Sequence, residues 1–140
     1  MNLNIELHHT PLNITECNQW VSGAASGGIN IFIGTVRDNT KGRKVKYLEY
    51  EAYDPMAIAE MKKLAQSAHQ KWNEINSILI HHRLGHLAIG EAAVIIAVAA
   101  PHRQVTFEVC QYLIDTLKQT VPIWKKEFFE DGESWVSAFP

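Results

Sequence analysis

Cysteine is scarce in this chain. There are two, Cys17 and Cys110, separated by 93 positions. They form no C-x-x-C pair and no zinc-ligand spacing, which excludes a disulfide framework and a zinc-finger pattern. An excess of positive charge is also missing. Lys plus Arg number 13 against 15 Asp plus Glu, for a net charge of −2, so the bulk basic footprint of a nucleic-acid binder is absent. The longest apolar run, Ala92 to Pro101, is ten residues, too short to span a bilayer. Met1 leads into Asn-Leu-Asn-Ile-Glu, with neither a basic nor an apolar leader; the expectation is no secretory signal and a reduced, cytoplasmic setting. No G-x-x-x-x-G-K-[ST] phosphate loop, repeat or low-complexity stretch occurs. What remains is an ordinary globular mix, 46% hydrophobic and 20% charged over 140 residues. That length predicts one domain, residues 1–140, since domains run to about 100–200 residues.

Periodicity divides the chain into alternating helices and strands. Leu3, Ile5 and Leu7 alternate with polar residues, as in an edge strand. Asn13-Ile-Thr-Glu16 has the form of a capping box, and the short helix after it should turn Cys17, Trp20 and Val21 inward. Residues 29–36 and 45–53 are β-rich, and a hairpin from Phe32 to Tyr50 is the simplest way to join them. Asp54-Pro55 opens a helix, with Asp54 as cap and Pro55 in the first turn. Met61, Leu64, Ala65, Ala68 and Trp72 form its apolar face. Ile75 to Leu84 reads as a strand, Gly85 to Gly90 as a turn, and Ala92 to Pro101 as a strand buried on both faces. Val105, Val109, Leu113, Leu117 and Val121 then recur every fourth residue, an amphipathic helix stopped by Pro122. Ile123 to Phe129 is a strand, Asp131-Gly132 a turn, and Trp135-Val-Ser-Ala a return strand. The fold class is therefore α/β or α+β, with helices on one side of a sheet.

Three stretches carry candidate chemistry. At Ala100-Pro-His102-Arg103 a buried strand meets a helix start, where free N–H groups and the helix dipole favour an anion. His102 and Arg103 add a donor and a permanent cation. The competing reading pairs Arg103 with Glu91 or Glu127 and leaves His102 as a cap. In the second stretch, Lys118 ends the long helix, and Lys125 and Lys126 follow on opposite faces of the next strand. Lys118 and one of that pair could share a pocket, and an amine held near other cations becomes a base or nucleophile; the alternative is a solvated basic edge. The third is Gly34-Thr35-Val36-Arg37, where an Arg leaving a strand can clamp a phosphate in a bidentate manner. The following loop, with Lys41, Arg43, Lys44 and Lys46, reads as a mobile hairpin tip or a substrate-facing flap. His81, His82 and His86 look metal-like, but His81 and His82 face opposite sides of a strand and no acid or thiol is spaced to complete a site, so no metal is expected. Both cysteines read as inert core. The four tryptophans, Trp20, Trp72, Trp124 and Trp135, read as core or interface anchors.

Taken together, Gly34-Thr-Val-Arg37, Leu48-Glu-Tyr-Glu51-Ala-Tyr, Pro55-Met-Ala, His82-Arg-Leu-Gly85 with Gly90-Glu91, Pro101-His-Arg103, and Leu117-Lys118 followed by Val121-Pro-Ile-Trp124-Lys125-Lys126-Glu127 closely resemble the large subunit of molybdopterin synthase, the MoaE family. The ordered match runs over roughly residues 28–136. The resemblance implies an α/β hammerhead-type domain with an added antiparallel β subdomain. It implies a sulfurtransferase of molybdenum cofactor biosynthesis that converts cyclic pyranopterin monophosphate (precursor Z) to molybdopterin by inserting the two dithiolene sulfurs. The sulfur would arrive as a thiocarboxylate on the Gly-Gly C-terminus of a small ubiquitin-like (MoaD-like) subunit, within a heterotetramer built on a central homodimer. No metal or organic cofactor, nucleic acid or membrane is implied. Carried over residue by residue, Lys118 and Lys125 become the catalytic lysines. Arg37, His102 and Arg103 bind substrate, Thr35 and Val36 line the strand end, and Lys126 and Glu127 extend the second basic segment. Outside the resemblance, the residues alone also permit a non-catalytic scaffold that holds an anionic small molecule at His102.

Overall fold

The structure is a computed structural model and describes residues 1–132 and 134–137. In chain order its elements are β1 (Asn2–His8), α1 (Ile14–Val21), β2 (Gly28–Thr35), β3 (Asn39–Thr40), β4 (Arg43–Ala52), α2 (Asp54–Lys71), β5 (Ser77–Arg83), β6 (Gly85–Ala88), β7 (Ala92–Ala100), α3 (Arg103–Thr120), β8 (Ile123–Phe129) and β9 (Ser134–Ser137). The strands form two sheets. The first has the order β1-β5-β7-β2, with β1 parallel to β5 and the other neighbours antiparallel. The second is antiparallel, in the order β3-β4-β8-β9, with β6 also pairing to β4. This is the mixed α/β architecture with an added antiparallel subdomain.

Strand β7 shows why the first sheet forms. Its apolar run has no polar face because both faces are covered. Val94, Ile96 and Val98 join the larger core with Met61 and Leu64 of α2 and Val109, Leu113 and Leu117 of α3. The alternate residues Ile95, Ala97 and Ala99 pack with Cys17 and Val21 of α1 and Leu79 of β5. So α2 and α3 cover one face and α1 the other, rather than all helices lying on one side. Trp72 at the end of α2 donates from Nε1 to Glu108 at 2.9 Å and meets Tyr112 edge-on at 5.4 Å, fastening α2 to α3.

Several local expectations are corrected. Strand β2 pairs with β7, and β4 pairs with β8 and β6, so residues 32–50 form no hairpin across those two strands. The chain instead passes from one sheet to the other after β2. The only hairpin in that segment is the short β3–β4 pairing, turned at Lys41 (φ 51°) and Gly42 (φ 81°), the positive-φ pair that suits a two-residue turn. At its base the Arg43 guanidinium donates to Asp131 at 2.9–3.1 Å and stacks 3.8 Å over the Phe129 ring. Residues 85–88, read as turn, are strand β6. Helix α2 is capped at Tyr53, and Asp54 lies in its first turn. Trp20 is exposed while Cys17 and Val21 of the same helix are buried, because only one stripe of a short helix reaches the sheet. Asn13 Oδ1 accepts from the Glu16 amide at 3.0 Å, as its capping motif predicts. Trp124 is exposed as well. The side chain of Trp135, read as an anchor, and Ala138 lie outside the described residues.

Where β2 begins, it crosses the start of α3 at backbone contact. A Cβ on Gly28 would sit 2.8 Å from the Cα of Arg103, whereas one on Gly23 would meet nothing within 4 Å. Gly28→Ala should therefore lower unfolding free energy by about 1–3 kcal/mol, the usual cost of forced overpacking, while Gly23→Ala stays within about 0.5 kcal/mol. Urea denaturation of both variants tests the crossing, and equal stabilities would show that it yields.

Candidate active site

The strand changes that separate the two sheets leave a cleft of about 380 Å³ between them. Its walls come from the end of β2 and the loop beyond it (Phe32 to Arg37), the inner face of β4 (Val45, Leu48, Tyr50), His82 of β5, the last two turns of α3 (Ile114, Leu117, Lys118) and Lys125 and Glu127 of β8. Small-molecule sites typically enclose roughly 300–1,000 Å³, so the space suits a fused-ring ligand.

Each wall follows from a local rule. The β2–β7 register slips between Gly34 and Thr35, a bulge of the kind that re-aims a strand end. Val36 is then held by its amide to Glu91 O (3.0 Å) and its carbonyl to Gly90 N (2.9 Å), which leaves the next residue, Arg37, at the mouth. On β8, residues two apart share a face. Lys125 and Glu127 sit in register with Tyr50 and Leu48 of β4 and line the cleft with them. Lys126 takes the opposite face, where its amine lies 4.8 Å from the Phe128 ring in a stack with Tyr47.

The electrostatics of the floor are specific. Glu127 is 3% exposed. Its Oε1 is 3.4 Å from Lys125 Nζ, and its Oε2 is buried with no hydrogen-bond partner. A buried carboxylate is costly unless paired, and here one oxygen is paired and the other is not. Burial, and secondarily the Glu127 charge, push the Tyr50 phenol up to about 12, so it stays a neutral O–H donor. His82 is fully enclosed; burial holds it down at about 4, against a smaller upward effect of its hydrogen bond to the backbone. Its Nδ1 is 2.8 Å from the Arg83 carbonyl, so in the neutral ring Nδ1 carries the proton and donates. The floor thus holds one carboxylate and two neutral polar rings, while Arg37, Lys118 and Lys125 supply positive charge around the opening.

Of the residues singled out from sequence, Thr35, Val36, Arg37, Lys118, Lys125 and Glu127 come together around this cleft. Lys126, His102 and Arg103 do not. His102 and Arg103 are exposed at the start of α3. Lys118 lies fifteen residues further along the same helix, about 22 Å away at 1.5 Å per residue. Of their alternative structural roles, the cap position of His102 holds and the pairing of Arg103 does not. His102 occupies the cap position without a side-chain capping bond, Glu91 pairs with Arg83, and Glu127 pairs with Lys125. Sequence reasoning passed over Tyr50 and His82 as site residues. Both lie inside the family-like motifs, Tyr50 in Leu48-Glu-Tyr-Glu51 and His82 in His82-Arg-Leu-Gly85, and neither residue type marks a cleft by itself. Cys110 is buried, its thiol pushed up to about 11 chiefly by burial, and Cys17 is buried as well; neither lines this cleft.

Comparison with known proteins identifies the lineage. The family model described as "MoaE protein" matches residues 7–120. The molybdopterin synthase catalytic subunit of Taeniopygia guttata is 49% identical over 94% of this chain and 84% of its own. That of Bacillus subtilis is 47% identical over 94% and 83%. The crystal structure of molybdopterin synthase from Staphylococcus aureus superposes with a TM-score of 0.88 at 39% identity, covering 94% of this chain and 95% of that one. The chain belongs to the MoaE family. With that membership goes its class, an enzyme subunit of the molybdopterin synthase catalytic type acting in molybdenum cofactor biosynthesis. Among the described residues, no helix of this MoaE protein is long and apolar enough to cross a membrane.

The buried imidazole makes a testable claim about pH. His82 titrates near 4 when folded and near 6.5 when unfolded. Between those values the unfolded chain binds more protons, so stability is full above about pH 6.5 and falls as the pH drops toward 4. The loss from this one group is about 3 kcal/mol, at 1.36 kcal/mol per pH unit. His82→Gln should flatten the pH 4–6.5 limb of the denaturation profile. An unchanged slope would place the titration elsewhere.

Proposed function

We propose that this cleft transfers sulfur to cyclic pyranopterin monophosphate. The chain would act as the sulfurtransferase subunit, adding two sulfurs to the pterin side chain to form the molybdopterin dithiolene. One observation carries the reading: cations far apart in sequence, Arg37 after β2, Lys118 on α3 and Lys125 on β8, surround a single cleft. A cyclic phosphate needs converging donors, and Arg37 offers it the two-pronged one. The sulfur donor is the C-terminal thiocarboxylate of a small ubiquitin-like subunit, presented on an extended Gly-Gly tail. Lys118 is exposed on the last turn of α3, within reach of such a tail. Lys125, tied to Glu127, is the better-positioned group against the pterin.

In this mechanism the thiocarboxylate sulfur attacks each side-chain carbon in turn, displacing a carbon–oxygen bond there, and water then cleaves the acyl–sulfur bond, leaving the sulfur on the pterin and a carboxylate on the spent carrier tail. The cations stabilise the developing oxyanions and the opening phosphate ester. Lys118 carries a proton or holds the acyl terminus covalently, and Lys125 orients the substrate or donates a proton. Holding two large reactants in register supplies much of the acceleration. The partner delivers the sulfur, so neither buried thiol of this chain has a part in the reaction. The setting is the cytoplasm, consistent with two unpaired cysteines.

The position of His102 and Arg103 points to a homodimer. They lie some 22 Å along α3 from Lys118, beside exposed apolar residues: Phe107, one turn further on and 62% exposed, and Ile29, which follows the Gly28 crossing. We propose that a second copy covers this patch and that His102 and Arg103 serve the neighbouring copy's cleft as phosphate ligands. A mixture of Lys118→Ala and Arg103→Ala chains should then regain activity that neither variant has alone, because one cleft in each mixed dimer is intact. Mixed dimers with no gain would put Arg103 in its own chain's site or in none.

The direct test is incubation with precursor Z and thiocarboxylated small subunit, followed by detection of the dithiolene product. Lys118→Ala should lose about 10²–10⁴-fold in rate, the span of a positioned acid–base group, with stability changed by no more than about 0.5 kcal/mol. Lys125→Ala should lose somewhat less, and Lys126→Ala, on the outer face, least. A folded Lys118→Ala enzyme with near-wild-type turnover would remove Lys118 from the mechanism. Product formation absent even in the wild-type complex would leave the anion-holding scaffold as the better description.

A further inference from the structure

We propose that Glu6, His8 and His81 form a binding site for a divalent cation of the Zn²⁺ class, on the opposite face of the first sheet from the sulfur-transfer cleft. Strand periodicity assembles the set. Asn4, Glu6 and His8 alternate on one face of β1. Because β1 runs parallel to β5 with Glu6 in register with His81, an acid and an imidazole from segments 75 positions apart become neighbours. The expectation of no metal rested on finding no acidic residue spaced near His81 in the sequence. The acid comes from β1 instead, through sheet pairing.

The donor atoms are already gathered. One atom from each of the three side chains lies within 4.8 Å of the others. The carboxylate stands between the two rings, with Glu6 Oε1 2.9 Å from His8 Nε2 and Oε2 3.5 Å from His81 Nε2. The ring centroids are 5.0 Å apart. Two imidazoles and one carboxylate, with further positions left to water, suit zinc and its neighbours among the first-row divalent ions. Asn4 Oδ1, 3.0 Å from His81 Nε2, is a further oxygen at the same point.

The surroundings support this use. The other nitrogen of His81, Nδ1, lies 3.6 Å from Cys17 Sγ, an outer contact of the kind that fixes a ligand ring's orientation and tautomer. Cys17 Sγ stands at Nδ1, whereas Glu6 and Asn4 meet the ring at Nε2, so the thiol serves as that outer partner rather than as a ligand. A cavity of about 390 Å³, walled also by Glu16 and Trp20 of α1, leads to the cluster, so an ion has an entry path and a second carboxylate beside it. The bound ion would tie β1, an edge strand, to β5 beneath α1. The site is structural and separate from the chemistry of the cleft.

The test uses the untagged full chain, with Zn²⁺ followed by calorimetry and equilibrium dialysis and Co²⁺ by its ligand-field spectrum. One ion per chain should bind, and the thermal midpoint should rise with added Zn²⁺. Glu6→Gln and His8→Ala alter side chains that are partly open to solvent. Each should keep the metal-free midpoint yet weaken binding by about 10–100-fold or more, given that loss of even an outer-shell partner costs that much. His9→Ala, one residue on, exposed and not among the residues lining the cavity, should bind as the wild type does. Absence of stoichiometric binding, wild-type affinity in Glu6→Gln or His8→Ala, or loss of binding with His102→Ala instead would each overturn the proposal.

Discussion

The burial of β7 on both faces is the constraint from which the rest of the molecule follows. A nine-residue strand whose side chains are almost all buried cannot face water on either side, so the sheet must be covered twice. Its alternation divides the work: Val94, Ile96 and Val98 draw in α2 and α3, while Ile95, Ala97 and Ala99 accept α1. Because β7 runs directly into α3 through Pro101 and His102, burying the strand also fixes where the helix starts. Eighteen helical residues later the chain emerges at the junction of the two sheets, where Lys118 and then Lys125 are delivered to the cleft. The position of the lysines is in this sense a consequence of core packing, set at a distance by the rigid length of α3.

Polarity in the cleft is arranged by the same burial. Glu127 is the one carboxylate among the side chains that line it, and it is nearly inaccessible. Its charge offsets that of Lys125 at one oxygen and leaves the other unpaired. Such an arrangement is poor as a stabilising device, because a desolvated carboxylate contributes little unless every lone pair is satisfied. It makes better sense as a fixed negative point that orients the Lys125 ammonium. Tyr50 and His82 stay neutral for the same reason that Glu127 is costly, so they add hydrogen-bonding capacity without adding charge. The remaining cations, Arg37 and Lys118, are exposed, where they keep their hydration until a ligand displaces it.

Much of this was legible in the sequence, and the legible parts share a physical basis. The fourfold spacing from Val105 to Val121 and the unbroken apolar run of β7 are strong periodic signals, and the elements lie where those signals end. The Asn13 cap and the opposite facing of Lys125 and Lys126 are local geometry and carried over directly. Pairing was not legible. Residues 32–50 looked like a hairpin because neighbouring β segments usually pair, yet β2 and β4 join different sheets; the choice depends on which edge β7 and β8 leave free, and both lie far along the chain. Strand β6 was hidden inside a Gly-bounded stretch whose strand character comes from pairing with β4. Tyr50 and His82 were passed over as cleft residues because neither type signals a site unless its wall is known.

The two adjacent histidines of β5 show how far a one-residue step separates functions in a sheet. His82 points into the larger core beside Tyr50, their rings 4.9 Å apart and edge-on, where burial suppresses its charge. His81 points the other way, to the α1 face, among Glu6, His8 and Cys17. A register slip of one residue would exchange them, placing the imidazole that contacts the Glu6 carboxylate against the phenol and the one that must stay neutral beside solvent. The register is held by the apolar residues on either side of the pair, Leu79 toward α1 and Ile78 and Ile80 toward α2 and α3. The hydrophobic pattern that specifies the core therefore also decides which histidine lines the cleft between the sheets and which belongs to the opposite face.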